Sequence, residues 1–331
     1  MKLGILRDLY DNYLYYVYAC NDLGIENKVV DIMSEKWIDE IRTSDCAGFL
    51  AAPYCTKEVW KTMYQERLYI INKVMGYPIY PSYNELFLYE SKRNMTYWLK
   101  LHSIPMPKTW VFYDKNEAMQ FINEYDSYPI VFKPNIGSSA LGLKIIKNRK
   151  EARKIVNRVF SKWHFFSRGY TKWYKTKYKI SIPVIDDKQY NNILFQEKIN
   201  VRHEWRGVRI GESYFAHKKL AGRNGLHSGS GLASYDNPPL AVLDFIKYVC
   251  DVSGFRSMDV DFFEDTDGNF YVNELQAFFG SRIKPYQMCV DGKPGRYRYI
   301  NDEWVFEEGM FNQNNSCSLR VEDFIKQLHY K

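Results

Sequence analysis

The chain's six cysteines, at positions 20, 46, 55, 250, 289 and 317 of 331, form no C-x-x-C pair and accompany no histidine-rich zinc spacing. Thiols so scattered read as reduced and packed, which excludes a disulfide framework and points to a cytoplasmic protein. The N-terminus MKLGILRDLYDNY lacks an apolar signal region, and no uncharged run reaches bilayer-spanning length, so no membrane span is expected. No G-x-G-x-x-G follows the first apolar strand, which argues against a dinucleotide site there. Ser-His-Asp and Cys-His signatures are missing too, so covalent nucleophilic catalysis has no visible carrier. There is no internal repeat and no long low-complexity tract.

Charge is nearly balanced. Lys plus Arg is 46 and Asp plus Glu is 39, so the net charge is 46 − 39 = +7 with histidine neutral. A modest basic excess suits anionic ligands, including a nucleotide and an acidic sugar, and is too dispersed to argue for nucleic acid. With 46% hydrophobic residues the chain can bury a large core divided between subdomains.

What is present is a set of local patterns. Residues 2–6, 28–32 and 48–53 are strand-like and residues 13–23 helix-like, giving an α/β unit at the N-terminus, with a break at Tyr77-Pro78-Ile79-Tyr80-Pro81. Residues 258–280, MDVDFFEDTDGNFYVNELQAFFG, form two apolar strands around the turn Asp265-Thr266-Asp267-Gly268-Asn269. Alternation puts Asp259 and Asp261 on one face of the first strand, and Glu274 and Gln276 on one face of the second. Oxygen ligands converging there suit a hard cation such as Mg2+; an exposed hairpin with solvated carboxylates is the alternative. Residues 128–146, YPIVFKPNIGSSALGLKII, flank a small-residue loop with apolar runs. Its backbone N–H groups could close on an anion beside Lys133, although a ligand-free Gly/Ser hairpin has the same pattern, and the loop is no P-loop.

These segments, in this order, resemble the ATP-grasp superfamily. The resemblance takes in residues 90–95 with 99–109, similar to the family's linker helix, and Phe195-Gln196-Glu197-Lys198-Ile199, similar to its adenine hinge. Residues 204–211 resemble the acidic-x-Arg strand that follows, and residues 273–280 the terminal metal strand. The implied fold is α/β (α+β): an N-terminal α/β domain over 1–88, a linker helix and lid over 89–194, and a catalytic subdomain over 195–331.

The resemblance also implies roles. Lys92 and Lys133 would contact nucleotide phosphates beneath the loop from Gly137 through Ser138 and Ser139 to Gly142. Gln196, Glu197, Lys198 and Ile199 would meet adenine and ribose, with Glu204 following. Asp261, Glu274 and Gln276 would hold magnesium, Gln276 standing where the family usually has Asn, and Asp259 is a possible substitute ligand. Arg206, Lys219 and Arg223 are the candidate catalytic cations, with Lys218 and His227 beside them, although the lysine pair also suits a solvated face. ATP and Mg2+ are the implied cofactors, and small-molecule carboxylate and amine substrates the implied partners, an acidic or nucleotide-linked sugar among them; a homodimer is left open.

The expected reaction is carboxylate–amine ligation through an acyl phosphate. A kinase using the same site, or a nucleotide-binding protein without turnover, are the alternatives. Within 162–188, Lys162, Arg168, Lys172, Lys175, Lys177 and Lys179 alternate with seven aromatics, which suits either a docking surface for a sugar or nucleotide-linked acceptor or a locally packed lid insertion. The tail after Gly292 resembles those of ATP-grasp proteins in bacterial surface-polysaccharide pathways. Arg296 and Arg298 there suit either an acidic acceptor or a half-exposed sheet edge, and residues 319–328 read as a closing amphipathic helix.

Overall fold

The computed structural model describes residues 1–55, 57–137, 142–161, 173–175, 181–183, 190–220, 232–235, 237–279 and 288–329. Lys2–Leu6, Glu26–Val30, Gly48–Ala51 and Ile79–Tyr80 form a parallel sheet, with Lys2–Leu6 between Glu26–Val30 and Gly48–Ala51. Leu3, Ile5, Phe49 and Leu50 are fully buried, as the apolar runs of a sheet covered on both faces require. Helix Leu14–Asp22 lies against one face, and its partner there comes from the far end of the chain. Cys317, Val321 and Phe324, from helix Gln313–His329, share one core with Leu3, Ile5, Tyr16 and Cys20. The C-terminal helix therefore closes over the N-terminal sheet.

A second sheet is small and antiparallel, in the order Thr109–Phe112, Ile193–Glu197, Ile130–Lys133, Lys144–Ile146. Helices Lys115–Glu124 and Arg149–Val159 cover it through Ala118, Ile122, Ala152 and Val156. Ile193–Glu197 belongs wholly to this sheet, so a division at 194/195 runs through a strand.

The third sheet is long. Phe270–Gln276, Ser257–Asp265, Val201–Ile210, Ser213–Lys219 and Lys293–Ile300 follow one another across it, and Glu303–Glu308 pairs with the last. Helix Leu240–Ser253 packs on its apolar face and ends at Gly254, whose φ of 69° suits a left-handed stop. Gly207 is needed here: a Cβ would lie 2.3 Å from Ile246 Cγ1.

One buried carboxylate joins N-terminal and C-terminal halves. Glu85 caps its own helix Tyr83–Leu88 by accepting from Ser82 N at 2.6 Å. It also accepts from Arg256 N at 2.7 Å and Ser257 N at 2.6 Å, where strand Ser257–Asp265 begins. All six cysteines are buried and free, and no helix among the described residues is long and apolar enough to cross a membrane.

Candidate active site

Register on the long sheet decides which side chains meet. Arg206 lies opposite Asp261, Asp261 opposite Glu274, Asp259 opposite Gln276, and Glu204 opposite Lys219. Alternation sends these to one face, while Trp205, Val260, Phe262 and Leu275 join the core on the other. The polar turn forms as its sequence suggests: Asp265 Oδ1 accepts from Asp267 N at 2.9 Å and Asn269 N at 2.8 Å.

The strands carry their own neutralisation. Asp261 Oδ1 accepts from Arg206 Nε at 3.2 Å, and Oδ2 from Lys219 Nζ at 2.8 Å. Lys219 Nζ also lies 2.6 Å from Glu204 Oε1. Burial alone would raise the Asp261 carboxyl, but Arg206 and Lys219 overcome it and hold it at about 2. Burial likewise opposes the Lys219 charge, and Asp261 and Glu204 keep that ammonium above its ordinary value. Asp259 fares differently. Arg206 Nη2 stands 2.9 Å from its Oδ2, off the line of a hydrogen bond, and neither Asp259 oxygen has a hydrogen-bond partner. Burial therefore pushes Asp259 up against the pull of Arg206.

A bulge adds a residue to which sequence reasoning gave no role. Asp261 pairs with Glu274 but Phe262 with Val272, leaving Asn273 as the extra residue. A bulge re-aims a side chain; here Asn273 Oδ1 accepts from Lys133 Nζ at 2.9 Å, tying the small sheet to the long one. The signal was in the sequence: Asn273-Glu274 is a polar pair between Val272 and Leu275, out of step with period two. Burial, and then the Lys92 ammonium, bring Lys133 down to about 8.

Lys92 opens helix Lys92–Leu101 and gives Nζ to Gly137 O at 2.7 Å. Asn135 fastens the loop to that helix, its Oδ1 accepting from Arg93 N at 2.9 Å and Ser91 Oγ at 3.3 Å. Gly137 has φ 141°, a conformation glycine tolerates. Ser138, Ser139, Arg223 and His227 lie outside the described residues, as does most of 162–188.

Gln196 is committed to the small sheet. Its backbone pairs on both sides, with Thr109 and Val131, and its amide Nε2 donates to Thr109 Oγ1 at 3.0 Å. Glu197 N reaches Lys108 O at 2.8 Å. Lys198 and Ile199 lie past the ladder, so the backbone available to a base begins there rather than at Gln196.

For a metal, Glu274 and Gln276 are half-buried oxygen donors, while both Asp261 oxygens face the protein's own cations. Among the described residues no group of three or more His, Cys, Asp or Glu is arranged to hold a metal ion. Hard oxygen chemistry fits magnesium, but a place for Asp261 in its shell requires Lys219 to yield.

A sequence profile of the RimK-like ATP-grasp domain matches residues 90–202, the stretch that holds Lys92, Lys133 and the small sheet. Over those residues the chain is similar to a RimK-like ATP-grasp domain. Alpha-aminoadipate–LysW ligase LysX of Saccharolobus solfataricus is 39% identical over 64 residues, 19% of this chain and 23% of that protein. D-alanine–D-alanine ligase of Francisella tularensis subspecies novicida is 24% identical over 195 residues, 58% of each chain. The matches thus cover less than two thirds of either relative's length. The solved D-cycloserine synthetase DcsG aligns with 99% of this chain and 100% of its own, at 14% identity and a TM-score of 0.61. That likeness is one of fold, and it takes in the N-terminal sheet and the long sheet.

Proposed function

We propose that this ATP-grasp protein is an ATP-dependent carboxylate–amine ligase that works through an acyl phosphate. The observation that carries the reading is the meeting of Lys133, Arg206 and Lys219 with Asn273, Asp261 and Glu274 at the junction of two sheets. Such a site neutralises a transferring phosphoryl group and needs no covalent nucleophile from the protein. The relatives named above, ligases and a synthetase, support the same class.

In this reading ATP arrives with magnesium as a substrate pair. Lys92 and Lys133 would meet its phosphates, and Glu274 and Gln276 would offer oxygens to the ion, with Asp261 available to it only if Lys219 yields. A carboxylate oxygen of the acid attacks the γ-phosphorus, the bond to the β-phosphate oxygen breaks, and ADP leaves. The amine nitrogen then attacks the acyl carbon and loses a proton. Phosphate departs with one of the acid's original oxygens. Arg206, fixed between Asp259 and Asp261, is the group to face the developing oxyanion.

Amino acids and sugar acids of surface-polysaccharide synthesis are the acids to try first. The basic-aromatic composition of 162–188 supports the sugar. Arg296 and Arg298 do not, because Glu307 already pairs with them at 2.7 and 3.1 Å.

The test is incubation with ATP, Mg2+, hydroxylamine and a panel of amino acids and sugar acids, following ADP, AMP and hydroxamate. Acid-dependent ADP with hydroxamate, lost in Glu274→Ala, is the expected result. ADP without hydroxamate would favour a kinase, and AMP would overturn the acyl-phosphate route.

A further inference from the structure

The row of side chains that crosses the long sheet does not end at Arg206. Glu274, Asp261, Arg206 and His217 stand opposite one another on four successive strands. Residues directly opposite share a face, with Cβ atoms about 5 Å apart. His217, on strand Ser213–Lys219, therefore lies one strand beyond Arg206, on the side away from Glu274.

Its surroundings on that face are ordered. One row along, Val208 pairs with Phe215, and both are buried in a core with Phe279 and Met288. In the other direction comes the ionic row of Glu204 and Lys219. His217 sits between that core and those charges. It is 7% exposed, with its ring centroid 4.9 Å from that of Tyr235. Tyr235 follows Ala233–Ser234, the short strand that pairs with Lys218 and Lys219. Arg206 opposite, Lys219 two residues on, and Tyr235 against the ring are the titratable groups that these strands set around it.

The ligase reaction leaves one proton to be taken up. An amine that attacks an acyl phosphate sheds that proton as the amide forms. The aspartates of the face, and Glu204, are engaged: Asp261 with Arg206 and Lys219, Asp259 with Arg206, and Glu204 with Lys219. In the ligase reading Glu274 turns to the metal. Imidazole is the side chain suited to proton transfer near neutral pH, and a general base acts at hydrogen-bond distance or through one water. Of the histidines among the described residues, only His217 falls on the face of Arg206. His203 alternates to the face of Trp205, and His102 and His329 close helices Lys92–Leu101 and Gln313–His329.

We propose that His217 is the general base for the amine in the second half of the reaction, with Tyr235 holding its ring. The proposal rests on the ligase reading. The amine's lone pair forms the bond to the acyl carbon beside Arg206, and the bond from that carbon to the phosphoryl-bearing oxygen breaks. Phosphate leaves with that electron pair. The proton from nitrogen passes to an imidazole nitrogen and from there to solvent. The first half needs no such group, because the acid attacks ATP as a carboxylate. The row then runs in the order of the chemistry, with the phosphoryl group near Glu274, the acyl carbon at Arg206 and the amine at His217.

The experiment compares wild type with His217→Gln, using ATP, Mg2+ and the acid that the hydroxylamine panel names. Parallel reactions receive hydroxylamine or an amine panel of the standard amino acids, D-alanine and ammonia, and mass spectrometry reads hydroxamate and amide. Hydroxylamine is a neutral, strong nucleophile that captures an acyl phosphate without a base. In His217→Gln, amide formation should fall about 100-fold or more while hydroxamate stays within about threefold, which also shows that the variant is folded. His217→Asn replaces it if it does not fold. In His217→Gly, added imidazole should restore amide formation in proportion to its concentration. Unchanged amide formation would mean that the departing phosphate takes the proton. Amide and hydroxamate falling together in a variant that melts like wild type would mean a role in acid activation instead. Wild-type hydroxamate with no amide from any panel amine would leave the base without an amine to serve. Each of these overturns the proposal and spares the acyl phosphate, whereas failure of wild type to form hydroxamate overturns the ligase reading itself.

Discussion

Asp261, inside a strand of the long sheet, and Asp8, in the loop after the first strand, are both buried carboxyls, each 1% exposed, yet one is held at about 2 and the other at about 8. Burial raises both. What separates them is company: Arg206 and Lys219 come within hydrogen-bonding distance of Asp261, whereas Asp8 is met by neutral groups of its own loop, the Tyr13 and Asp8 N–H groups and the Asn12 side chain. The long sheet has folded with its candidate site charges already matched in pairs, so in the proposed reading a nucleotide exchanges partners there. At Asp8 no cation is among the groups that offset its burial. Burial thus leaves an acid ionised where cations meet it and favours its neutral form where none does.

The comparison breaks most visibly if Asp261 is removed. Asp261→Ala leaves Arg206 and Lys219 short of their shared acceptor, and should cost about 3 kcal/mol of folding stability, read by urea denaturation. Asp261→Asn should lose less stability but nearly all ADP formation. Arg206→Met should lower kcat about 100-fold or more while ATP affinity changes little, which steady-state kinetics on the identified acid would show.

Lys133 extends the contrast to cations. Brought down to about 8 by burial and Lys92, it loses its proton above that pH and with it the attraction for phosphate. ATP affinity should therefore hold up to about pH 8 and fall above it, and Lys133→Met should bind weakly with a flat profile; fluorescence titration of a nucleotide analogue from pH 6 to 9.5 decides this.

Asp8→Asn should do the reverse of a catalytic lesion. The folded protein binds this proton more tightly than the unfolded chain, so the wild-type acid contributes least to stability above pH 8 and most near pH 4. The variant should melt a few degrees higher than wild type at pH 8.5, with the gap closing toward pH 4. The smallest effect belongs to charges that neither region uses. Lys293 and Glu308 pair at 3.2 Å with side chains 63% and 59% exposed, and Lys293→Ala should change stability by less than ~0.5 kcal/mol.

Much of the long sheet was legible because alternation is a strict rule. Asp259, Asp261, Glu274 and Gln276 share a face, as their spacing implies, and the Asp265–Asn269 turn lies between their strands. Partnership was not legible, since it depends on register between strands far apart in sequence. Nothing local in Glu204, Arg206 and Lys219 says that they would converge on Asp261 across the sheet. Gln196 showed the same gap: its type suited a hinge, but both neighbouring strands had already taken its backbone. Asp8 was invisible for a different reason. A single acid after an apolar strand is ordinary on a surface, and only the tertiary fold, which brings Tyr64 of helix Glu58–Tyr69 near it, makes it a buried one.

The most direct test of the ligase reading follows the oxygen atoms. Once the hydroxamate panel has named an acid, that acid is supplied with both carboxylate oxygens as 18O, together with ATP, Mg2+ and the amine, and the inorganic phosphate is analysed by mass spectrometry. The account predicts one 18O per phosphate released, with the amide keeping the other. Unlabelled phosphate formed alongside amide would mean that the carboxylate never attacked the γ-phosphorus, and the acyl-phosphate mechanism would be wrong.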